Sequence, residues 1–262
     1  QGMAAARQGK HLLIEKPLDI RTERIDELIE SAERAGVRLG VFLQERAAAD
    51  MQRVKGMLEE RKAGKGLMAT AELLWRRDPE YYADSRWRGS WALDGGGALM
   101  NQGIHTVDLL LWFFGPVSKV SAFCRTQEHQ IEAEDTVTAI LEFRSGPVAA
   151  LSVTTTAFPG LPRRITIVGD GGTIQIEGSN LKSFYKRGAS PEITEKRTDS
   201  QRQDSPRVSD AEGHRIVLQD FIEALEQGRE PLCNGAEGRK SVEIVEAIYE
   251  ASRTGNVVKL RR

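Results

Sequence analysis

The stretch GGGALMNQGIHTVD at residues 95–108 decides the fold of this chain. Three glycines open it and an apolar run follows at 109–114, which predicts a loop that enters a helix. On an α-helix, Asn101, His105 and Asp108 would lie at i, i+4 and i+7, along one face. The glycines permit unusual backbone conformations and close approach to a ligand. A polar stripe on an otherwise apolar helix therefore predicts a functional site.

Upstream of this stretch, helices and strands alternate. Residues 3–8 are typical of the end of a helix, and 11–14 predict a short buried strand. A helix is predicted to begin with Thr22 as its N-cap, and a second strand is predicted over 37–42. This order is typical of parallel α/β structure. Since two parallel strands are too few for an independent domain, the chain is expected to begin within a fold.

The rest of the chain predicts an α+β domain with a mainly antiparallel sheet. A helix is expected over 47–62 and a strand over 68–75. Further segments rich in Thr, Val and Ile lie at 117–126, 136–143, 148–156, 164–168, 173–177 and 181–185. The predicted fold class is thus α/β, with a partial parallel unit at 1–46 and an α+β domain at 47–262.

Several connections complete this prediction. The polar, aromatic stretch 76–94 is expected to be a long loop, and the charged stretch 195–210 an exposed one. Two helices, near 214–227 and 236–254, close the chain. The glycines at 169–172 precede an alternating strand pattern rather than a helix, which predicts a hairpin turn and not a phosphate-binding loop.

Composition excludes several classes of partner. The chain has 262 residues, with 37 Lys plus Arg against 38 Asp plus Glu, so its net charge of −1 gives no reason to expect nucleic acid or an anionic membrane. Cys124 and Cys233 have no metal-ligand spacing, which predicts no metal and two thiols in a reducing compartment. With no membrane-length apolar run and no signal core, a cytoplasmic protein is expected.

Glu15-Lys16-Pro17 ends the first predicted strand, at the edge where open α/β sheets bind ligands. Lys16 could present a cation to a substrate oxygen or a cofactor, and Pro17 would fix the turn that aims it. A lysine at a strand end is also an ordinary surface residue. Its combination with the glycine–histidine stretch favours the functional interpretation.

His105 is a candidate general acid or base because its ordinary pKa lies near neutrality. Alternatively, it is a hydrogen-bonded histidine buried under a helix. Asn101 can donate and accept hydrogen bonds but carries no charge. Asp108 either orients the imidazole or has a structural role, and the sequence leaves both alternatives open.

Aromatic and basic residues precede the glycines. Trp87 and Arg88 follow the pair Tyr81-Tyr82, and aromatic rings with a guanidinium suit a polyhydroxylated ligand. Such residues also anchor loops to a domain surface. We expect Trp87, Arg88 and Tyr82 to line the substrate site.

Three segments, GKHLLIEKPL at 9–18, WRG at 87–89 and the stretch at 95–108, resemble the glucose–fructose oxidoreductase/inositol dehydrogenase (Gfo/Idh/MocA) family in order and spacing. The helices near 221–231 and 247–249 are also similar to that family, so the resemblance covers essentially the whole chain.

This resemblance implies an oxidoreductase that uses NAD or NADP on a sugar, polyol or related carbohydrate. It implies a truncated Rossmann-type parallel unit at 1–46, and a substrate-binding and oligomerisation domain with a large open, mainly antiparallel sheet at 47–262. It implies that Glu15, Lys16 and Pro17 contact the cofactor, with Lys16 beside the reacting hydroxyl, and that His105 is the acid/base. Asn101 stands where some members have an aspartate that binds substrate or handles the proton. Assembly into a homodimer or homotetramer through the open sheet is also implied.

The chain lacks the Gly-x-Gly-x-x-Gly turn that the family uses to bind the dinucleotide. That segment is expected before Gln1, so this chain would carry the substrate half of the parent enzyme and be inactive alone. The alternative is a non-catalytic carbohydrate-binding or oligomerisation module.

Overall fold

The first two strands form a parallel sheet of their own, as predicted. The computed structural model describes residues 1–193 and 211–260, and the charged stretch 195–210 lies outside them. The chain starts with α1 (Gly2–Arg7), β1 (Leu12–Glu15), α2 (Thr22–Arg34) and β2 (Leu39–Phe42). β1 pairs with β2 in parallel, and Glu15 lies opposite Phe42. Both strands therefore end at the same edge, where Lys16 follows β1 and a 3₁₀ turn, Gln44–Ala47, follows β2.

The start of α2 differs from the prediction. Thr22 is the first helical residue, and the preceding Arg21 has an extended backbone without a side-chain cap. The Thr22 hydroxyl instead donates to Glu246 Oε2 at 2.7 Å. Thr22 thus links α2 to α7 (Gly235–Thr254). The local sequence pattern does not reveal this tertiary contact.

The second sheet has nine strands and is mostly antiparallel, which confirms the predicted fold class. Its strands are β3 (Gly66–Leu74), β4 (Val117–Arg125), β5 (Thr136–Phe143), β6 (Val148–Thr154), β7 (Arg164–Gly169), β8 (Gly172–Glu177), β9 (Asn180–Lys186), β10 (Glu192–Ile193) and β11 (Val258–Lys259). The spatial order is β10-β9-β8-β7-β3-β6-β5-β4-β11. Within the described residues, β3 and β6 are the one parallel pair of this sheet. β7 and β8 flank the predicted hairpin turn and pair antiparallel.

Helices cover one face of the large sheet. They are α3 (Ala49–Glu59), α5 (Ile104–Phe114) and α7. In contrast, α6 (Glu212–Gln227) packs against β2 and the 3₁₀ turn, and α4 (Pro79–Ala83) lies within the stretch predicted as a loop. Along β5, Val137, Ala139 and Leu141 are buried on this covered face, whereas Ile140 points to the opposite face. None of the helices in the described part of the chain is long and apolar enough to cross a bilayer.

The opposite face of the sheet remains open. Among its exposed apolar side chains, Met68, Val148, Ile140 and Phe123 lie on the neighbouring strands β3, β6, β5 and β4, and Tyr185 lies further away on β9. We refer to these five residues as the open-face patch. A group of exposed apolar side chains on one face of a sheet is typical of an interaction surface.

Candidate active site

The segment that carries Asn101 and His105 begins with a π-helical turn, Leu99–Gly103, and continues as α5. A π turn has i→i+5 hydrogen bonds, so the spacing of a regular α-helix does not hold across it. The predicted single polar stripe is therefore wrong. His105 is half-buried, whereas Asp108, three residues further along α5, is fully buried and bonded to other partners.

Lys16 and the glycine–histidine segment meet in the structure. The Lys16 ammonium donates a hydrogen bond of 2.5 Å to the backbone carbonyl oxygen of Asn101, 85 positions along the chain. The peptide bond between Lys16 and Pro17 is cis. Burial lowers the pKa of Lys16, while the charges of Glu15 and Asp94 oppose that effect. The cation is thus held at the edge of the small sheet, against the segment that carries His105.

His105 is neutral at pH 7. Burial lowers the pKa of its imidazole to about 3, and the positive charge of Lys16 acts in the same direction. Its Nδ1 atom is buried and has no hydrogen-bond partner among residues 1–193 and 211–260. A neutral imidazole carries a nitrogen lone pair that can accept a proton.

The buried imidazole should make stability depend on pH. The unfolded chain binds a proton at His105 near pH 6.5, whereas the folded protein binds it only near pH 3. The free energy of unfolding should therefore fall as the pH is lowered through this window, by up to about 1.4 kcal/mol per pH unit. Urea denaturation between about pH 7 and about pH 5 measures this slope. His105→Gln, which cannot titrate, should give a shallower slope, and equal slopes would contradict the assignment.

Asp94 belongs to the same cluster, although the sequence analysis missed it. It accepts hydrogen bonds from the Asn101 side-chain amide at 3.2 Å and from the Gly89 backbone at 2.9 Å. Burial raises the pKa of its carboxyl above the usual range. Asp94 thus fixes the Asn101 side chain and places a carboxyl group near Lys16. Its position directly before three glycines was the available signal.

A second acid, Glu45, lies half-buried near His105 and was also missed. Its Oε2 atom accepts hydrogen bonds from Arg163 Nη2 and Ser179 Oγ, both at 2.7 Å. Although burial opposes ionisation, the charge of Arg163 and these hydrogen bonds lower the pKa of Glu45 to about 2. The Glu45–Arg163 ion pair joins the 3₁₀ turn after β2 to the residue that precedes β7 of the large sheet.

The three glycines pack against the protein itself, which corrects their predicted role in approaching a ligand. Gly95 has a φ of +71°, and a Cβ there would lie 2.4 Å from Ile20 Cβ. A Cβ on Gly96 would lie 2.0 Å from the Tyr249 hydroxyl oxygen. On Gly97 it would lie 1.9 Å from the backbone oxygen of Glu134. Any side chain at these positions would displace the loop.

The prediction for Tyr82 is also wrong. Its ring is buried against His129, and its hydroxyl lies 2.9 Å from Thr155 Oγ1, so Tyr82 anchors the loop to the sheet. Arg88 stacks over the rings of Tyr81 and Trp87, at 4.3 and 4.9 Å from their centroids. Trp87 is 44% exposed. Substrate contacts of Arg88 and Trp87 stay predictions.

Asp108 does not orient His105. It forms a bidentate ion pair with Arg46, with distances of 2.6 and 2.9 Å, and both side chains are almost completely buried. Ser241 Oγ donates to Asp108, and Arg46 also donates to Glu237. Although burial opposes the charge, the Asp108 carboxylate raises the pKa of Arg46. Asp108 therefore links α5 to α7 and to the turn after β2.

Glu15 lies at the rim of the site. His214 Nε2 of α6 is 3.3 Å from Glu15 Oε1, and the His214 ring packs on Phe42.

Cys124 and Cys233 are free thiols. Within the described residues, no group of His, Cys, Asp or Glu could hold a metal ion.

Comparison with known proteins places this geometry in a family. The model of the C-terminal alpha/beta domain of the Gfo/Idh/MocA oxidoreductases matches residues 55–260. A solved structure of the WlbA dehydrogenase from Bordetella pertussis, in complex with NADH and UDP-GlcNAcA, is 34% identical with a TM-score of 0.86. That match covers 100% of this chain and 75% of the other.

Two curated relatives are more distant in sequence. The 1,5-anhydro-D-fructose reductase of Ensifer adhaerens is 26% identical over 99% of this chain and 75% of its own length. An uncharacterized oxidoreductase of Synechocystis is also 26% identical, over 67% of this chain and 50% of its own length. The chain thus spans between half and three quarters of these relatives. On the strength of the domain match and the 34% identical dehydrogenase, the chain belongs to the Gfo/Idh/MocA oxidoreductase family.

Proposed function

We propose that the protein containing this sequence is an NAD(P)-dependent oxidoreductase that acts on a hydroxyl group of a sugar, polyol or related carbohydrate. The observation that carries the proposal is the contact of the Lys16 ammonium with the Asn101 carbonyl, beside the neutral imidazole of His105. This arrangement places a cation and a proton acceptor at one site. In this proposal residues 1–46 belong to the cofactor-binding unit and 47–262 form the substrate domain.

The relatives support this class of substrate. The WlbA dehydrogenase binds NADH together with a nucleotide sugar, and the Ensifer protein reduces a sugar derivative. A panel of free sugars, polyols and UDP-sugars, with NADH or NADPH formation measured by absorbance, would identify the substrate. We expect turnover with at least one of them, and turnover with none would contradict the proposal.

The rim of the small sheet suits the nicotinamide end of a dinucleotide. Glu15 ends β1 at the carboxyl edge of the parallel pair, Lys16 and Pro17 follow it, and the Lys16 ammonium contacts the segment that carries His105. These three residues would hold that end of the cofactor. NAD or NADP, when bound, supplies the nicotinamide that accepts or returns the hydride.

The chain's own residues would handle the proton and the charge. His105 would take the proton of the substrate hydroxyl, because its imidazole is neutral and only half-buried. The Lys16 ammonium would stabilise the negative charge that develops on that oxygen. Asn101, held by Asp94, would orient a neighbouring hydroxyl.

The affinity of this chain for dinucleotides tests whether its residues are sufficient to bind the cofactor. Because the sequence contains no Gly-x-Gly-x-x-Gly turn before a helix, we expect the isolated chain to bind NAD(H) and NADP(H) only weakly. Isothermal titration calorimetry measures this directly. Micromolar binding would show that these 262 residues suffice for the cofactor. Carbohydrate binding without any dinucleotide binding or turnover in the intact protein would favour a non-catalytic carbohydrate-binding module.

We also propose that the protein forms a homodimer or homotetramer through the open-face patch. Phe123, on β4, is 66% exposed within this patch, and a charge there would oppose burial in an interface. We expect Phe123→Asp to shift the protein towards the monomer in sedimentation velocity. Leu218→Asp, on the exposed side of α6, is the matched control and should not do so. A monomeric wild-type protein would contradict this proposal.

A further inference from the structure

Glu134 lies directly behind the glycine segment and is used by no step above. It is 2% exposed, and both oxygens of its carboxylate accept backbone hydrogen bonds, from Gly97 at 2.9 Å and from Leu99 at 2.8 Å. Its own backbone oxygen accepts a third bond, from Ala98, at 2.9 Å. One residue thus receives three consecutive amides at the start of the π-helical turn.

Two neighbours hold Glu134 in place. The Tyr249 hydroxyl donates to Glu134 Oε1 at 3.1 Å, and the Trp91 ring covers Tyr249 edge-on at 5.0 Å. The next residue, Asp135, accepts backbone hydrogen bonds from the turn at 127–129, at 2.8 to 2.9 Å. Glu134 is therefore fixed on both its side chain and its backbone.

The close packing of Gly96 and Gly97 reflects the same contact with Glu134 and Tyr249. A side chain on Gly96 would collide with the Tyr249 hydroxyl, and one on Gly97 with the Glu134 carbonyl. Glycine at both positions lets the loop pack directly against Glu134 and Tyr249. Burial raises the pKa of the Glu134 carboxyl to about 7, against the hydrogen bonds donated to it. Burying a carboxyl group costs free energy, and the hydrogen bonds that Glu134 accepts offset this cost.

The π-helical turn held by Glu134 also carries the carbonyl group that Lys16 contacts. Asn101 lies within the π-helical turn, two residues after Leu99, and its carbonyl oxygen accepts the hydrogen bond from the Lys16 ammonium. A displacement of the turn would move that acceptor, and with it the cation opposite His105. We infer that Glu134 is a positioning residue, which sets the place of the Lys16 ammonium by holding the backbone of residues 97–99. The inference rests on the proposed function of Lys16 and His105.

The test is Glu134→Gln, which keeps the size of the side chain but replaces one acceptor oxygen by a donor. The matched control is Glu142→Gln, the same change on the exposed end of β5. In the intact protein, we expect Glu134→Gln to lower kcat by about tenfold or more with KM changed by less than about threefold. Amide exchange at Gly97 or Leu99 should accelerate by about tenfold or more, with exchange in β5 unchanged.

A direct readout at Lys16 distinguishes positioning from stability. Loss of the Asn101 acceptor should lower the pKa of Lys16 further, and carbon NMR of labelled lysine measures it without substrate or cofactor. If kcat per folded molecule and the Lys16 pKa equal those of the control, the inference is wrong, even if the melting temperature falls. If Glu134→Gln does not fold, Tyr249→Phe should give the same changes on a smaller scale, about threefold in kcat, and no change would overturn the inference.

The two proposals fail in different ways. If the wild-type protein oxidises no carbohydrate, the proposed function is wrong, while amide exchange and the Lys16 pKa still decide the role of Glu134. If the wild-type protein is active and Glu134→Gln resembles Glu142→Gln in every readout, only the positioning role is wrong.

Discussion

Replacing His105 by glutamine should lower kcat by about 10²–10⁴-fold, with little change in KM, in the intact protein saturated with NAD or NADP. The imidazole is neutral because burial lowers its pKa to about 3, and its Nδ1 makes no hydrogen bond to the described residues. Glutamine keeps a polar side chain but cannot accept and release a proton near neutral pH. The loss should therefore fall on the chemical step, which steady-state kinetics and single-turnover rates separate from binding.

His11 provides the matched control. It is exposed at the start of β1, at the opposite end of that strand from Lys16, and its ring accepts a hydrogen bond from the Arg38 backbone. His11→Gln should leave both kinetic constants close to those of the wild-type protein. A His105→Gln variant with wild-type kcat would remove His105 from the mechanism. A variant with raised KM and unchanged kcat would make it a binding residue only.

Asp108→Ala should lower the free energy of unfolding by about 3–5 kcal/mol. The substitution leaves the Arg46 guanidinium, 2% exposed, without its bidentate partner, and among the described residues only Glu237 remains paired with it. Desolvation of the unpaired charge dominates this cost, so the double variant Arg46→Met with Asp108→Leu should recover much of the stability. Urea denaturation monitored by circular dichroism measures both variants.

An exposed acid gives the comparison for this second prediction. Glu212 pairs with Arg215 on the surface of α6, and Glu212→Ala should leave the free energy of unfolding nearly unchanged. A loss from Asp108→Ala no larger than that of Glu212→Ala would show that the buried ion pair does not stabilise the fold.

Side-chain periodicity predicted most of the fold. The alternating segments at 136–143 and 148–156 correspond to β5 and β6, and the parallel pairing of β1 with β2 followed from the intervening helix. β10 and β11 were missed because two residues are too few to show any periodicity. They exist only because β9 and β4 offer edges to pair with.

The site was less accessible to such reasoning. The sequence singled out Lys16 and His105, which do lie on the two segments that meet. The π-helical turn could not be foreseen, since apolar spacing does not report which carbonyl an amide bonds to. Asp94, Arg46 and Glu134 are charged residues that a linear pattern assigns to the surface, and only tertiary contacts show that they are buried.

The ties between α2, the turn after β2 and α7 limit how the protein can move. Thr22 binds Glu246, Asp26 binds Arg239, and Arg46 binds Asp108, so polar contacts hold the small sheet to the helices that cover the large one. A hinge between Lys16 and His105 would have to break several of these bonds at once. Lys16 and His105 are therefore preorganised, and a ligand that binds between them does not have to bring them together.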